Sequence, residues 1–500
     1  MQYLIGVDLG TQATKTSLCD ERGRILAEAT QESNLIYPEQ GAVEQDPEEM
    51  LGSVLNTIKE VLEKSEIPTG DVAGIGIDGQ MAGIMAVDAA GRAVTPYDSW
   101  LDTRCGKSRK AVLDFGEERA IELSGGPVSY TGGTKIVWWR DERPETCKRI
   151  HKFTQPGSYC AMRLCGISGD DAFIDHTYLH FSGFSDTANK RWSSELIEGV
   201  GIDGSKLPRI LRPWDKVGEL TAEMAAQCGL KSGTPVVAGC GDTAASTFGA
   251  GIVRDGLMID VAGTASILAC AVSVFAPDTK HKTILFAPSV VEGLYTPMAY
   301  INGGGMCIKW FRDDVTGRRY SYKELDEMAA AVPPGSDNLI FMPHFSGRVC
   351  PNDTLVRGSY INLSWKHDTA RMFRAILEGI AYEYGIYSDI IRELAPDQKY
   401  DVVIGVGGGS KSKIFMQIKA DVLGTPFSVN KQTDTAALAC CAITGYGVGL
   451  YDSLTTLVTA PTESVVSPNA ALFETYRERK EIYGEVFGAL HGVYEKLLAL

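Results

Sequence analysis

Two segments of the chain share an order of residues that strongly limits the fold. VDLGTQATKTSLC begins at Val7, and DVAGTASILAC begins at Asp260. In each segment an apolar strand runs into a Gly-Thr turn and an alternating strand returns, which is the pattern of a β-hairpin. The presence of one such hairpin in each half predicts an internal duplication, with the two turns facing a cleft.

The segments around the hairpins predict alternating helices and strands. In the first half, Asp46 is suited to cap a helix that has Pro47 in its first turn, and Val72–Gln80 reads as a buried parallel strand. In the second half, Asp368–Leu394 has the spacing of a long amphipathic helix. Asp401–Phe427 reads as strand, glycine-rich turn, helix and strand. The fold class predicted from these patterns is α/β.

The length of the chain predicts more than one domain, because 500 residues exceed the size of one ordinary hydrophobic core. We expect an N-terminal domain over residues 1–246 and a second domain over 247–450. Residues 451–500 are expected to form a helical segment that packs back on the domains, with one helix from Pro468 onward.

The composition excludes some classes of partner. The formal net charge of −15 disfavours nucleic acid and anionic membrane surfaces, although local donors can still bind a small anion. The twelve cysteines have no framework spacing and are predicted to be buried thiols of a reducing compartment. The chain shows no signal-peptide pattern, and its longest uncharged stretch, Val261–Pro277, reads as paired strands. We therefore expect a cytoplasmic protein; the oligomeric state is left open, with a homodimer as one outcome.

The first Gly-Thr turn is a candidate phosphate site. Gly10 allows close approach of backbone N–H groups to a ligand, and Thr11 adds a hydroxyl donor. The alternative interpretation is that Gly10-Thr11 only forms the turn and binds no ligand. Asp8 at the end of the buried strand favours the phosphate site, because a buried carboxylate is costly unless it is paired or metal-bound. Lys15 supplies a positive charge nearby.

Asp242 is a second carboxylate that follows a buried apolar strand, in GCGDTAAS. Taken alone, it fits a helix cap and a catalytic base equally well. Gly407–Gly409 precede a helix that begins near Lys413, an arrangement that suits nucleotide binding. The contiguous glycines match neither the Walker motif nor the dinucleotide-binding motif, so they do not identify a nucleotide site by themselves.

The segment WLDTR contains residues suited to sugar binding. Trp100 offers an aromatic face on which a sugar could stack. Asp102 and Arg104 could form a surface ion pair, which is the common case for such residues. Lys135 precedes a tryptophan pair that reads as helix core.

These elements occur in the order typical of the FGGY carbohydrate kinases, which belong to the superfamily of sugar kinases, actin and heat-shock ATPases. The chain resembles that family from about Tyr3 to about Leu450. The matching segments are GVDLGTQATK, GQMAG, WLDTR, YTGGTKIVWW, GCGDTAAS, GTAS, NGGGMCIKWFRD, RAILEGIA and GGGSKSKIFMQIKADVLGTPF. Gly132 and Trp139 in the fourth segment depart from the residue types usual there.

The resemblance implies two ribonuclease-H-like domains that flank a catalytic cleft, with the sugar against the first and ATP mostly against the second. It implies that Asp242 is the catalytic base and that Asp8 helps to hold Mg²⁺ through water. The implied nucleotide-binding residues are Thr11, Lys15, Gly263, Thr264, Gly305, Gly408, Gly409 and Lys413. The implied substrate-binding residues are Gln80, Met81, Ala82, Trp100, Asp102, Tyr130 and Asp242.

The pattern within the family is most similar to xylulose kinases, but two polar positions differ. Those enzymes typically have His after the Met of the substrate turn and Asn after the catalytic Asp, where this chain has Ala82 and Thr243. Met81-Ala82 also replaces the Arg-Glu pair of glycerol kinases. The expected substrate is a ketopentose or related polyol, with D-xylulose the first choice; another pentulose, a hexulose or a pentitol remains open.

An ATP-driven conformational switch that binds a protein is the alternative from a different class of function. The sugar-side residues Gln80, Trp100 and Asp102 favour the kinase.

Overall fold

A computed structural model describes residues 1–349, 351–429, 435–458 and 465–500. The chain forms two compact units. The first contains Met1–Val253, Phe286–Tyr295 and the helix Thr435–Gly447. The second contains Arg254–Leu285, the residues from Thr296 to Val429 and those from Val465 to Leu500.

The strands of the described residues are numbered in chain order. They are β1 Tyr3–Leu9, β2 Ala13–Asp20, β3 Ile25–Glu32, β4 Glu44–Gln45, β5 Val72–Gly79, β6 Met85–Val87, β7 Tyr97–Asp98, β8 Lys152–Thr154, β9 Phe173–Asp175, β10 Ser185–Asp186, β11 Arg191–Trp192, β12 Arg209–Leu211, β13 Lys216–Glu219, β14 Pro235–Val237, β15 Cys240–Gly241, β16 Leu257–Ala262, β17 Ser266–Cys270, β18 Leu285–Pro288, β19 Tyr295–Ile301, β20 Ile340–Met342, β21 Ser359–Ile361, β22 Val402–Val406, β23 Phe427–Val429 and β24 Val465–Val466.

The helices are numbered in the same way. They are α1 Pro47–Ser65, α2 Arg109–Ser124, α3 Gly132–Glu142, α4 Pro144–Arg149, α5 Pro156–Cys165, α6 Leu179–Ser182, α7 Ser194–Val200, α8 Ala222–Cys228, α9 Asp242–Gly249, α10 Gly304–Trp310, α11 Tyr322–Ala330, α12 Thr369–Leu394, α13 Lys413–Leu423, α14 Thr435–Gly447 and α15 Phe473–Leu498. None of these helices is both long and apolar enough to cross a membrane.

The two units contain sheets with the same strand pattern. In the first sheet, β3, β2 and β1 form an antiparallel meander, and β5 and then β14 continue the sheet in parallel to β1. In the second sheet, β19, β17 and β16 form the meander, and β22 and β23 continue in parallel. This repetition confirms the duplication predicted from the two Gly-Thr hairpins.

Helix α14 packs against the sheet of the first unit, although the sequence-based boundaries assign it to the second domain. A Cβ at Gly6 of β1 would lie 2.1 Å from the carbonyl oxygen of Ala437, and one at Gly76 of β5 would lie 2.2 Å from Thr444 Oγ1. Two glycines on adjacent strands therefore allow the helix backbone to approach the sheet closely.

Helix α15, predicted from Pro468 onward, packs on α12 in the second unit. The hydroxyl group of Tyr476 donates to Glu378 at 3.3 Å, and that of Tyr483 donates to Glu383 at 2.8 Å. Both carboxylates lie on α12 and are fully buried. The tyrosines thus satisfy buried acceptors, which fixes the position of the terminal helix on this unit.

Candidate active site

The first Gly-Thr turn connects β1 and β2 as the sequence predicts. The Gly10 amide donates to the carbonyl oxygen of Ala13 at 3.1 Å and closes the turn. Asp8 lies opposite Lys15 in the hairpin and opposite Asp78 of the parallel strand β5. The partly exposed Asp8 therefore has a cation on one neighbouring strand and a second carboxyl group on the other.

The Thr11 hydroxyl group belongs to a hydrogen-bond network with the predicted sugar residues. It donates to Gln80 Oε1 at 3.0 Å and accepts from Trp100 Nε1 at 2.9 Å. Gln80 Nε2 donates to the carbonyl oxygen of Gly10 at 3.2 Å and to Gln45 Oε1 at 2.8 Å. Because Gln80 is fully buried and these bonds engage both its oxygen and its nitrogen, its side chain holds the turn in place.

The two residues after Gln80 have different environments. Met81 is buried in an apolar cluster that also contains Tyr178 and Leu179. Ala82 is partly exposed and has a φ of 62°, in the left-handed region that residues other than glycine seldom occupy. Strained backbone of this kind concentrates at functional sites, which makes the Ala82 turn a candidate substrate contact.

Arg104 is the centre of a buried ion network, not part of a surface pair. Its guanidinium group lies 2.8 Å from Asp102 Oδ2, 3.0 Å from Asp98 Oδ1 and 2.7 Å from Glu44 Oε1. The prediction of an Asp102–Arg104 pair is confirmed, but the surface location is wrong, since the two side chains are only 2% and 10% exposed. Asp98, at the end of the preceding strand β7, and Glu44, from a distant part of the sequence, enclose the pair.

Trp100 and Tyr130 lie beside this network. Trp100 is 44% exposed, so it retains accessible aromatic surface. Tyr130 packs under the Arg109 guanidinium group at 5.5 Å, and its carbonyl oxygen accepts a hydrogen bond of 2.7 Å from the buried Lys135. Lys135 also donates to the Asp102 carbonyl oxygen at 3.0 Å, so its charge is satisfied inside the protein as the helix-core interpretation requires.

Asp242 is the first residue of α9 and directly follows the two-residue strand β15. Its Oδ1 atom accepts the Thr243 amide at 2.6 Å and the Thr243 hydroxyl at 3.2 Å. Burial of the carboxyl group, and secondarily the charge of Asp8, raise its pKa to about 7, although part of its surface stays accessible. A carboxyl group with this pKa can accept a proton near neutral pH.

The backbone leading to Asp242 has a break that only glycine permits. Between β14 and β15, Gly239 adopts a φ of 76°, and a Cβ there would lie 1.8 Å from the carbonyl oxygen of Ile77. The sequence predicts a strand that runs into a glycine-rich turn here, and the structure has a second short strand, β15, after this turn. The turn brings β15 into parallel register with β5, so that Cys240 lies opposite Asp78.

Asp78 is a third carboxyl group beside these elements, and the sequence interpretation missed it as a site residue. It is fully buried, and its Oδ2 atom accepts from Cys440 Sγ at 3.2 Å. Burial raises its pKa well above the usual value, and Cys440, Asp8 and Asp242 raise the pKa further. Its position at the end of the strand VAGIGIDG is the same signal that singled out Asp8 and Asp242.

The second unit contains a cavity of about 640 Å³ at its own Gly-Thr turn. Five predicted nucleotide residues line it: Gly263, Thr264, Gly305, Gly408 and Gly409. A Cβ at Gly305 would lie 1.9 Å from the carbonyl oxygen of Gly263, whereas one at Gly408 would meet no atom within 4 Å. Gly305 therefore allows two backbones to approach each other, and Gly408 leaves open space in the cavity.

The predicted Lys413 is the first residue of α13 and is exposed. The cavity wall is instead formed in this region by its neighbours Lys411 and Ser412. Lys309 and Lys323 are two further cations of the lining, and Asp326 is its acidic residue. This excess of positive charge suits a polyphosphate.

The cavity of the second unit fits ATP, whereas the fit to a divalent metal depends on a single carboxylate. The cavity combines cations with the apolar side chains of Ile308, Phe373, Leu377 and Phe415, and it has the size of a cofactor site. The described residues contain no group of three or more side chains placed to hold a metal ion. Mg²⁺ is usually bound by one or two carboxylates together with water and substrate phosphates, and a single carboxylate such as Asp8 is compatible with that mode of binding.

Comparison with known proteins identifies the family. Residues 3–249 match the N-terminal domain and residues 261–444 the C-terminal domain of the FGGY family of carbohydrate kinases. The chain is a member of the FGGY family. It is accordingly an ATP-dependent carbohydrate kinase, and a small-molecule sugar is its substrate.

Individual relatives differ in the sugar that their names give. The chain is 29% identical to a xylulose kinase of Lactococcus lactis, over 97% of each chain. It is 25% identical to a gluconokinase of Bacillus subtilis, over 90% of this chain and 88% of that one. The fold also matches the ligand-bound xylulose kinase of Lactobacillus acidophilus, with a TM-score of 0.91, 24% identity and coverage of 99% and 100%. The two-domain ribonuclease-H-like architecture predicted from the sequence is thereby confirmed.

Proposed function

We propose that this FGGY kinase transfers the γ-phosphate of ATP to a hydroxyl group of a ketopentose, with D-xylulose as the first candidate. Asp242 is the general base, and Asp8 is the protein ligand of Mg²⁺. The observation that carries the proposal is the placement of Asp242, an accessible carboxyl group at the first residue of α9 that Thr243 orients, and its raised pKa of about 7 supports the same role. A carboxyl group with an ordinary pKa would be a weaker base toward a sugar hydroxyl.

The reaction needs a base on the acceptor hydroxyl group, donors on the phosphates and exclusion of water. Asp242 accepts the proton of the attacking hydroxyl as the new O–P bond forms and the bond from the γ-phosphorus to the β,γ-bridging oxygen breaks, with ADP as the leaving group. Thr243 donates to one oxygen of this carboxylate, Oδ1, and thereby orients it. When bound, Mg²⁺ would be held by Asp8 and would neutralise charge on the transferring phosphate group.

The second unit supplies the nucleotide site. Lys309, Lys323 and Lys411 offer positive charge to the phosphates, and the apolar wall offers a surface for the base. The Gly263-Thr264 turn at the cavity offers the Thr264 hydroxyl group and, because Gly263 has no side chain, room for a phosphate.

The identity of the sugar depends on a small set of side chains in the first unit. Trp100 supports stacking on the apolar face of a sugar, because it is the accessible aromatic residue beside Thr11. Ala82 offers no polar group where xylulose kinases typically have His, which favours an acceptor that needs no partner at that point. This substitution keeps another pentulose, a hexulose or a pentitol as alternatives, and the 25% identical gluconokinase adds a sugar acid to them.

The proposal is tested by sugar-dependent release of ADP. The purified kinase is assayed with Mg·ATP and a panel of D-xylulose, other pentuloses, hexuloses, pentitols, gluconate and glycerol. We expect the highest kcat/KM with D-xylulose. A higher value with gluconate or a hexulose would overturn the assignment of the sugar but not that of the kinase, whereas no stimulation by any sugar would contradict both.

A further inference from the structure

A short buried turn in the first unit contacts both the substrate turn and the strand that leads to Asp242. It comprises the single 3₁₀ turn His176–Tyr178, which directly follows β9. Asp175, Thr177 and Tyr178 are all at most 2% exposed. Neither the sequence interpretation nor the proposed mechanism assigns them a role.

Thr177 forms a hydrogen-bond chain that ends beside Asp242. Its hydroxyl group donates to Asp175 Oδ1 at 2.6 Å and accepts from the Gly241 amide at 2.9 Å. The Thr177 amide donates to the same carboxylate oxygen at 2.8 Å, so the direction of the chain is fixed. Gly241 is the residue immediately before Asp242. Its N–H group is therefore held by the Thr177 hydroxyl group, whose orientation is fixed because it donates to Asp175.

Tyr178 connects the same turn to the strand before Gln80. Its hydroxyl group lies 2.8 Å from the carbonyl oxygen of Gly79 and 3.3 Å from that of Cys240. Gly79 ends β5 and Cys240 begins β15, and these two strands are paired. A single phenol therefore bridges the backbone of the substrate turn and the backbone of the catalytic strand.

We propose that Thr177 and Tyr178 are positioning residues for phosphoryl transfer, which hold the backbone before Asp242 in register with the backbone before Gln80. The inference rests on the proposed function, since it assumes that Asp242 is the base. Displacement of a catalytic group by about 1 Å lowers rates by roughly 100-fold, and short buried hydrogen bonds to the adjacent backbone restrict such displacement.

The first test compares Thr177→Val with Thr177→Ser. Valine has nearly the shape of threonine but lacks the hydroxyl group, whereas serine retains it. We expect kcat to fall by about 10-fold to 100-fold in Thr177→Val, with the KM for ATP unchanged within about 2-fold. Thr177→Ser is expected to restore kcat to within about 3-fold of the wild type.

Thr187→Val is the matched control for general destabilisation. Thr187 is also fully buried, and its hydroxyl group bonds the carbonyl oxygen of Ser124 at 2.7 Å and the hydroxyl of Ser185 at 2.8 Å. We expect Thr187→Val to lower the melting temperature about as much as Thr177→Val while kcat stays at the wild-type value. A kcat loss of the same size in both variants would overturn the inference, because it would reflect weakened folding alone.

Tyr178→Phe keeps the inference testable if Thr177→Val does not fold. It removes only the bridging oxygen, and we expect both a lower kcat and a higher KM for the sugar, with nucleotide binding retained. Wild-type values for both constants would overturn the role of Tyr178.

Asp242→Asn separates failure of this inference from failure of the proposed function. An active Asp242→Asn enzyme would overturn the base assignment and the positioning role with it. An inactive Asp242→Asn enzyme together with a fully active Thr177→Val enzyme would overturn only the positioning role.

Discussion

Replacement of Lys419 by methionine is expected to destabilise the second unit by about 3–5 kcal/mol, because it leaves one buried charge without its partner. Lys419 Nζ lies 2.6 Å from Asp260 Oδ2, and both side chains are 0% exposed. Asp260 belongs to β16, the strand that leads into the Gly263-Thr264 turn. The pair therefore supports the strand on which the nucleotide site is built.

The expected loss of stability follows from the hydrogen bonds that Asp260 retains in Lys419→Met. The Tyr384 hydroxyl, which donates to Asp260 Oδ1 at 2.9 Å, is the other hydrogen-bond donor to this carboxylate among the described contacts. One hydrogen bond to a charged group contributes about 1.5–3 kcal/mol, which is too little to offset the desolvation of a buried carboxylate that has lost its cation. Methionine fills most of the volume of lysine, so loss of packing contributes little.

The assay is equilibrium unfolding in urea, followed by fluorescence and by circular dichroism. Lys110→Met is the matched control: Lys110 and Asp114 are also 2.6 Å apart, but their side chains are 77% and 62% exposed. The control is expected to lose less than about 1 kcal/mol. The double variant Lys419→Met/Asp260→Asn removes the unpaired charge and is expected to regain about half of the loss or more.

Two results would refute this reasoning. A loss below about 1 kcal/mol in Lys419→Met would mean that the buried pair behaves as an exposed one. A double variant no more stable than Lys419→Met would mean that the loss does not come from the charge left on Asp260.

Three further predictions concern activity. The value of kcat/KM for the sugar should rise with pH and level off above about pH 7, because Asp242 must be ionised to accept a proton and its pKa is raised to about 7; a rate constant independent of pH between 5 and 8 would contradict this. Gly305→Ala should weaken ATP binding by about 10-fold to 100-fold, because its Cβ would lie 1.9 Å from the Gly263 carbonyl oxygen. The matched variant Gly408→Ala should keep wild-type stability, since its Cβ meets no atom within 4 Å. Calorimetric titration with ADP measures nucleotide binding by the two variants, and thermal unfolding measures their stability. Ala82→His should raise kcat/KM for D-xylulose relative to the other sugars if the missing polar contact sets specificity; an unchanged ratio would exclude this position.

The sequence predicts the elements whose signals are local. The hairpin β1–β2 forms where the sequence predicts it, because the turn signal Gly10-Thr11 lies between two alternating apolar segments. Helix α1 begins where Asp46 and Pro47 predict, and Asp46 accepts from the Glu48 amide at 2.8 Å. Such signals need no information about distant residues.

Most features that sequence interpretation missed depend on distant residues; Asp78 is the exception, because its strand-end position is a local signal. The position of α14 depends on glycines in β1 and β5, which lie more than 350 residues earlier in the chain. The Asp102–Arg104 pair is enclosed in part by the distant Glu44, and no pattern in WLDTR indicates this. Thr177 and Tyr178 have no sequence signal, since the positioning role proposed for them depends on contacts to the backbone of Gly79, Cys240 and Gly241.

The candidate site is predicted better as a set of segments than as individual contacts. Gly263 and Gly305 line the cavity as expected, because the position of a turn follows from the elements that it connects. Within the predicted glycine-turn segment, however, Lys411 and Ser412 line the cavity and Lys413 does not. Side-chain direction at the start of a helix changes by about 100° per residue, so an error of one or two positions moves a residue out of the site.

The central claim is that Asp242 removes the proton of the sugar hydroxyl group. It is tested most directly by the single-turnover rate of sugar-phosphate formation in Asp242→Asn, with saturating Mg·ATP and the best sugar of the panel. We expect this rate to fall by about 100-fold to 10,000-fold, as loss of a general base requires, while ADP binding and the melting temperature stay close to the wild type. A rate within about 3-fold of the wild type would contradict the claim, since positioning and charge neutralisation would then suffice without a base at this residue.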